Sequence, residues 1–259
     1  MTTSVKEFPM HPIPQSCRLA FVGAVMSGLA ACGGGGGGDS GFTPPPPPPP
    51  APFACTAAPP PPAPAPGAQQ PQVTFTVNNG AGVAGDLVIT LDPTRSPITV
   101  ANFLNYVNTG FYNCTVVHRN ASNFVLQGGG YAGPVAVGTT LPTLKGTGPN
   151  IVLEDNNGRS NLRLTVAMAR AGTGTSNFDS ANSQWFINLA NNNNPALGQV
   201  NLDRTATARG YAVFGDVTSG EALVTAMAGA PCTRWDAFFG STDCFPNPNL
   251  YITSARQTR

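Results

Sequence analysis

Arg119, Phe124 and Gln127 fall within one stretch, FYNCTVVHRNASNFVLQGGG, over residues 111–130. A permanently charged hydrogen-bond donor there precedes an aromatic ring by five residues and an amide by eight. Such a set can grip polar groups and stabilise a transition state while making no covalent bond to its substrate. Other chemistries lack their parts. The chain has two histidines, one at position 11, so a Ser-His-Asp triad would have to use His118, and no nucleophile or acidic motif accompanies it. That histidine reads instead as a structural hydrogen-bonding residue. Gly128, Gly129 and Gly130 lack the GxGxxG spacing and the following Lys-Ser of a phosphate cradle. None of the six cysteines forms a CxxC pair, which argues against zinc.

Three further blocks follow in order: VAMAR at 166–170, SQWFINL at 183–189, and Leu202-Asp203 followed by YAVFGDV at 211–217. With 111–130, and with SPITVANFLNYVNTGFY leading into it, they resemble the cyclophilin family of peptidyl-prolyl cis-trans isomerases over about residues 83–256. The resemblance implies an enzyme that needs neither metal nor cofactor. Rotation about an X-Pro bond meets a barrier of about 18–20 kcal/mol from amide resonance, and no bond is broken. A catalyst therefore needs a donor aimed at the prolyl nitrogen, a grip on the carbonyl and an apolar slot for the ring. The resemblance makes Arg119 the catalytic donor and places Phe124, Val125, Phe186 and Leu202 in the proline pocket. Gln127 and Gln184 match positions that hold substrate backbone. Ala169 and Arg170 match the strand that pairs with the peptide, and Tyr211 stands where many members carry histidine. Taken singly, Arg119 would be an exposed strand residue and the aromatics would be core; four collinear motifs favour function.

Departures fall mainly at the rim. Val117 replaces the usual Phe before His-Arg, Trp185 replaces the first Phe of QFF, and the loops 172–182 and 191–201 are longer than usual. In cyclosporin-sensitive members a tryptophan stands near the Leu202 position. Asn201 takes that place here, which implies weak binding of the drug unless Trp185 or Trp235 substitutes.

Local patterns predict the elements that must position these residues. Apolar alternation over 85–92 predicts a strand paired with 73–77. Ser96 and Pro97 suit a helix start, Val100, Phe103, Leu104 and Val107 share a face, and Gly110 suits the stop. Further strands are expected at 115–118, 123–127, 162–169, 184–189, 211–217 and 250–255, with a second helix at 220–228. Many short strands with two helices predict a mainly β fold, a closed eight-stranded antiparallel β-barrel capped by two helices, because closure removes exposed edges.

Residues 19–31, LAFVGAVMSGLAA, are too short an apolar run to span a bilayer as a helix, which needs about 20 residues. Arg18 and Lys6 precede the run and Cys32 follows it, the pattern of a signal peptide over 1–31. Leu29-Ala30-Ala31-Cys32 resembles a lipobox, whose cysteine carries lipid; an ordinary cleaved signal peptide is the plainer alternative. With Gly33 next, and a Gram-negative source, the expected location is the periplasmic face of the outer membrane, with soluble periplasmic protein as the alternative. Residues 32–72 hold six consecutive glycines and seven consecutive prolines and read as a disordered Gly/Pro-rich linker to a domain at 73–259. Only 10% of residues are charged, against about 25% in an average soluble protein, and no basic stripe suggests nucleic acid. The expected partners are proline-containing unfolded or partly folded polypeptides and, through the anchor, a membrane. In an oxidising compartment Cys232 and Cys244 are expected to pair across a short segment; Cys55 with Cys114 is the second candidate, set back by the place of Cys55 in the linker. The competing functional class is a binding module or chaperone on the same fold with little or no isomerase activity.

Overall fold

The computed structural model describes residues 53–65, 67, 69–171, 177–198, 200–239 and 243–259. The expected signal peptide over 1–31, Cys32 and the first glycine and proline runs lie outside the described residues.

β1 (Gln72–Asn78) and β2 (Ala84–Leu91) form the expected hairpin, with Val73 opposite Ile89 and Phe75 opposite Leu87. Their alternate apolar side chains are fully buried, as the two-residue period of a strand requires. α1 (Pro97–Asn108) buries Val100, Phe103 and Val107 on one face. Ser96 precedes it but does not cap it through its side chain; the hydroxyl donates instead to the Val213 carbonyl at 2.9 Å. The backbone N–H groups of Ile98 and Thr99 donate to the Glu154 carboxylate, at 3.1 and 2.8 Å. A side chain more than fifty residues away thus satisfies the helix start.

The remaining strands and α-helices of the described residues are β3 (Thr115–Val117), β4 (Arg119–Ala121), β5 (Val125–Gly128), β6 (Tyr131–Ala132), β7 (Thr165–Met168), β8 (Trp185–Asn188), β9 (Val213–Ser219), α2 (Glu221–Ala228), β10 (Cys232–Arg234), α3 (Asp236–Phe239), β11 (Cys244–Pro246) and β12 (Leu250–Gln257). Among the described residues all twelve strands join one sheet in the order β10-β11-β4-β5-β8-β7-β9-β2-β1-β12-β3-β6. This corrects the expected closed eight-stranded barrel: the sheet curls, but its ladder is open and ends on β10 and β6. The expected strand 115–118 stops at His118, and the pieces on either side take different neighbours. β3 pairs with β12 and β6, whereas β4 pairs with β5 and β11. The expected strand 162–169 shortens to β7 because Leu164, at φ +67°, leaves the extended region.

The main core gathers Phe75, Phe103, Tyr112, Trp185 and Phe214, with ring centroids 4.9–6.0 Å apart. Trp185 is completely buried. The glycine run packs on it: a Cβ at Gly128 would come within 2.8 Å of the indole, and one at Gly129, at φ +85°, within 2.7 Å of the Ser183 carbonyl.

Both candidate disulfides are formed, Cys232–Cys244 and Cys55–Cys114. Residues 53–65, within the stretch read as linker, touch the domain. The Phe53 ring lies 5.5 Å from that of Tyr251, and Asn113 Nδ2 donates to the Ala58 carbonyl at 2.8 Å. Among the described residues no helix is long and apolar enough to cross a membrane.

Candidate active site

Strand register places the chemistry. Arg119 in β4 lies opposite Gln127 in β5, Gln127 opposite Phe186 in β8, Phe186 opposite Ala167 in β7, and Ala167 opposite Val213 in β9. Directly opposed residues share a face, so this row runs across five strands on one side of the sheet. Val125, two residues from Gln127, joins it. Val125, Phe186 and Leu202 form a buried apolar floor, with Phe124, Ala169 and Tyr211 packed around it and half exposed.

At one end of the row the Arg119 guanidinium lies 5.7 Å from the centre of the Phe124 ring. Its Nη1 donates to Gln127 Oε1 at 3.2 Å, and Gln127 Nε2 donates to Gln184 Oε1 at 2.9 Å. At the other end the Arg170 guanidinium lies 4.6 Å over the Tyr211 ring, which meets Phe186 edge-on at 5.6 Å. Arg170 Nε donates to the Gly210 carbonyl at 3.1 Å, and the Ala169 N–H donates to the Gln184 carbonyl at 2.9 Å. All ten residues singled out from the sequence, Arg119 to Tyr211, therefore meet in one connected groove. Cys32 lies outside the described residues.

Two supports escaped the sequence reading. Behind the floor, Asn192 Nδ2 donates to the Phe124 carbonyl at 2.8 Å while the Asn192 carbonyl accepts from the Leu202 N–H. Asn192 is tied through Asn188 to Asn161, and all three are buried. The Asn-rich stretch signals a polar network, but not which backbone it holds. Asp155 clamps the loop between Leu202 and Tyr211 by accepting from Arg204, Arg209 and the Gly210 N–H. Burial alone would raise the Asp155 carboxyl, but the bonds from Arg209 and Gly210 and the nearby charges hold it below its usual value.

The third unforeseen residue is Asp243, whose Oδ2 accepts from Arg119 Nε at 2.6 Å. Its only sequence signal is its place next to Cys244; nothing in that pattern couples it to residue 119.

His118, next to Arg119, is buried between the rings of Tyr131 and Phe238. Burial first, and the neighbouring Arg119 charge second, lower its pKa from 6.5 to about 3, which leaves it neutral and unsuited to act as a base near neutral pH. Asn201 accepts the Asp203 N–H at the groove edge, while Trp185 and Trp235 are both buried, in apolar clusters separate from the Phe186 and Leu202 floor. Cavities of about 510 and 500 Å³ flank the floor and share Val200 in their walls. Among the described residues no group of three or more His, Cys, Asp or Glu is placed to hold a metal ion.

An anchored guanidinium, two linked amides and an apolar slot thus stand together on one sheet face. The chain belongs to the cyclophilin-type peptidyl-prolyl isomerase family: the family model described as "Cyclophilin type peptidyl-prolyl cis-trans isomerase/CLD" matches residues 72–257. It is 42% identical to peptidyl-prolyl cis-trans isomerase A of Dickeya dadantii over 53% of this chain and 63% of that protein. It is 41% identical to a peptidyl-prolyl cis-trans isomerase of Acinetobacter baylyi over 58% of this chain and 71% of the relative. With peptidyl-prolyl cis-trans isomerase B of Escherichia coli it shares 36% identity over 62% of this chain and 87% of the relative. A crystal structure of a cyclophilin-type isomerase from Cryptosporidium parvum matches at TM-score 0.53 and 21% identity, over 73% of this chain and 98% of that one, and shares the fold.

Proposed function

We propose that this chain isomerises X-Pro bonds of exported proteins in the cell envelope, held at the periplasmic face of the outer membrane by lipid on Cys32. The observation that carries the catalytic part is the placement of the Arg119 guanidinium beside the apolar floor, with Nη2 making no hydrogen bond among the described residues. The proline ring enters between Phe124, Phe186 and Leu202, and Gln127 and Gln184 hold the neighbouring carbonyl. As the imide twists, the prolyl nitrogen regains its lone pair, and a guanidinium N–H donates to it. That donation is strongest in the twisted state, so it lowers the barrier rather than tightening ground-state binding. The leader, the spacer and two disulfides, which form in oxidising compartments, support export.

The test uses the full chain in a Gram-negative host. Arg119→Ala should lower kcat/KM on a chromogenic X-Pro peptide by about 10²–10³, since losing one preorganised donor costs about 2.7–4 kcal/mol, with an unchanged circular dichroism spectrum. In the same host Cys32→Ser should leave the membrane fraction. Near-wild-type turnover by Arg119→Ala would overturn the catalytic reading, and a mature N-terminus away from residue 32 would overturn the anchor.

A further inference from the structure

We propose that Asp243 is the positioning residue of the active-site arginine, delivered to it by the disulfide-closed hairpin β10–β11. The proposal deepens the isomerase reading and rests on it. Arg119 reaches the groove on a flexible stem, and holding that side chain in one rotamer costs conformational entropy. A donor that must meet a transient lone pair works only if it is already aimed. Gln127 fixes one point at 3.2 Å, and Asp243 fixes a second, at Nε, at 2.6 Å. Two anchored points set the plane of the guanidinium, and Nη2 is left for substrate.

The pair is sheltered, with the Arg119 and Asp243 side chains 27% and 18% exposed, so water screens it less than an open surface pair. The carboxylate does not draw the arginine out of the groove, because the contacts to Gln127 and the Phe124 ring persist alongside it.

The hairpin explains how a residue 124 positions away arrives there. β10 and β11 pair through Cys232 opposite Pro246, Thr233 opposite Phe245 and Arg234 opposite Cys244, and the Cys232–Cys244 bond ties the two strands. β11 joins the sheet where Cys244 lies opposite Asn120, the residue after Arg119. The rings of Trp235, Phe238 and Phe245 pack together under it. Asp243, one residue before this junction, is thereby brought beside Arg119.

A positioning role acts on turnover more than on ground-state binding, which the slot and Gln184 continue to supply. In the full chain Asp243→Ala should lower kcat about tenfold, equivalent to ~1.4 kcal/mol, with KM within about twofold of wild type. Asp243→Glu should recover part of that loss. The nitrogen-15 signal of Arg119 Nε supplies a readout that a merely structural role would not move: its proton should be exchange-protected in the wild type and in Asp243→Glu, and unprotected in Asp243→Ala. Should Asp243→Ala misfold, Asp243→Asn keeps the shape with a neutral acceptor, and a kcat loss of about threefold with a weakened Nε signal is expected. A folded Asp243→Ala or Asp243→Asn chain with wild-type kcat, or with an unchanged Arg119 signal, overturns the proposal. Full activity in Arg119→Ala would instead sink the isomerase reading itself.

Discussion

Burial and the charge of Arg119 hold the His118 imidazole neutral in the fold, with a pKa of about 3 against 6.5 for the free side chain. The lowered value fixes the sign of a pH effect. Above pH 6.5 the residue is neutral in both folded and unfolded chains. Below it the unfolded chain takes up a proton that the folded chain refuses, so stability falls by up to about 1.4 kcal/mol per pH unit until the folded pKa is passed. Between pH 6.5 and pH 4.5 the wild type should lose about 2 kcal/mol more than His118→Phe, which keeps a ring against Tyr131 and Phe238. Urea denaturation of both proteins at the two pH values checks this; equal losses would show that His118 titrates normally. Proximity in sequence told nothing of this division between two neighbours: Arg119 is half-buried at the groove and His118 buried beneath it.

At the scale of elements, the hairpin β1–β2 and helix α1 follow from local pattern, because alternation and a one-sided apolar face are properties of adjacent residues. The helix start shows where such legibility stops. Ser96 and Pro97 mark the boundary correctly, yet the N–H groups of Ile98 and Thr99 are satisfied by Glu154. Glu154→Ala should therefore lower stability by about 1–2 kcal/mol through the lost cap and helix-end charge, with Glu154→Gln losing about half as much. Thermal denaturation of the two variants measures it, and a Glu154→Ala loss below about 0.3 kcal/mol would refute the role. β10 and β11 were likewise hidden, since three-residue strands are too short for alternation to show.

For the molecule as a whole, the Cys55–Cys114 bond ties the proline-rich approach to the folded domain, across a separation of 59 residues. Chain entropy alone would credit a loop of that length with about 4 kcal/mol. The native domain, however, begins its first strand at Gln72, so the reduced native chain leaves a tether of only about 17 residues to confine. The difference in closure entropy between those loops is about 1 kcal/mol. Cys55→Ser should thus cost about 1 kcal/mol in denaturant unfolding and detach Phe53 from Tyr251, while a loss near 4 kcal/mol would show that residues 53–65 belong to the cooperative unit. The sequence by itself determined the family, the order of the strands that carry motifs and helices α1 and α2, and it named the ten residues that the fold brings together, because each motif records a local backbone shape and the side chains placed on it. Only the tertiary structure decided that the sheet stays open at β10 and β6, that Glu154 caps α1, that buried asparagines hold the pocket and that Asp243 meets Arg119. Each of these joins groups distant along the chain, and no local periodicity encodes which distant carboxylate or amide will satisfy a given donor.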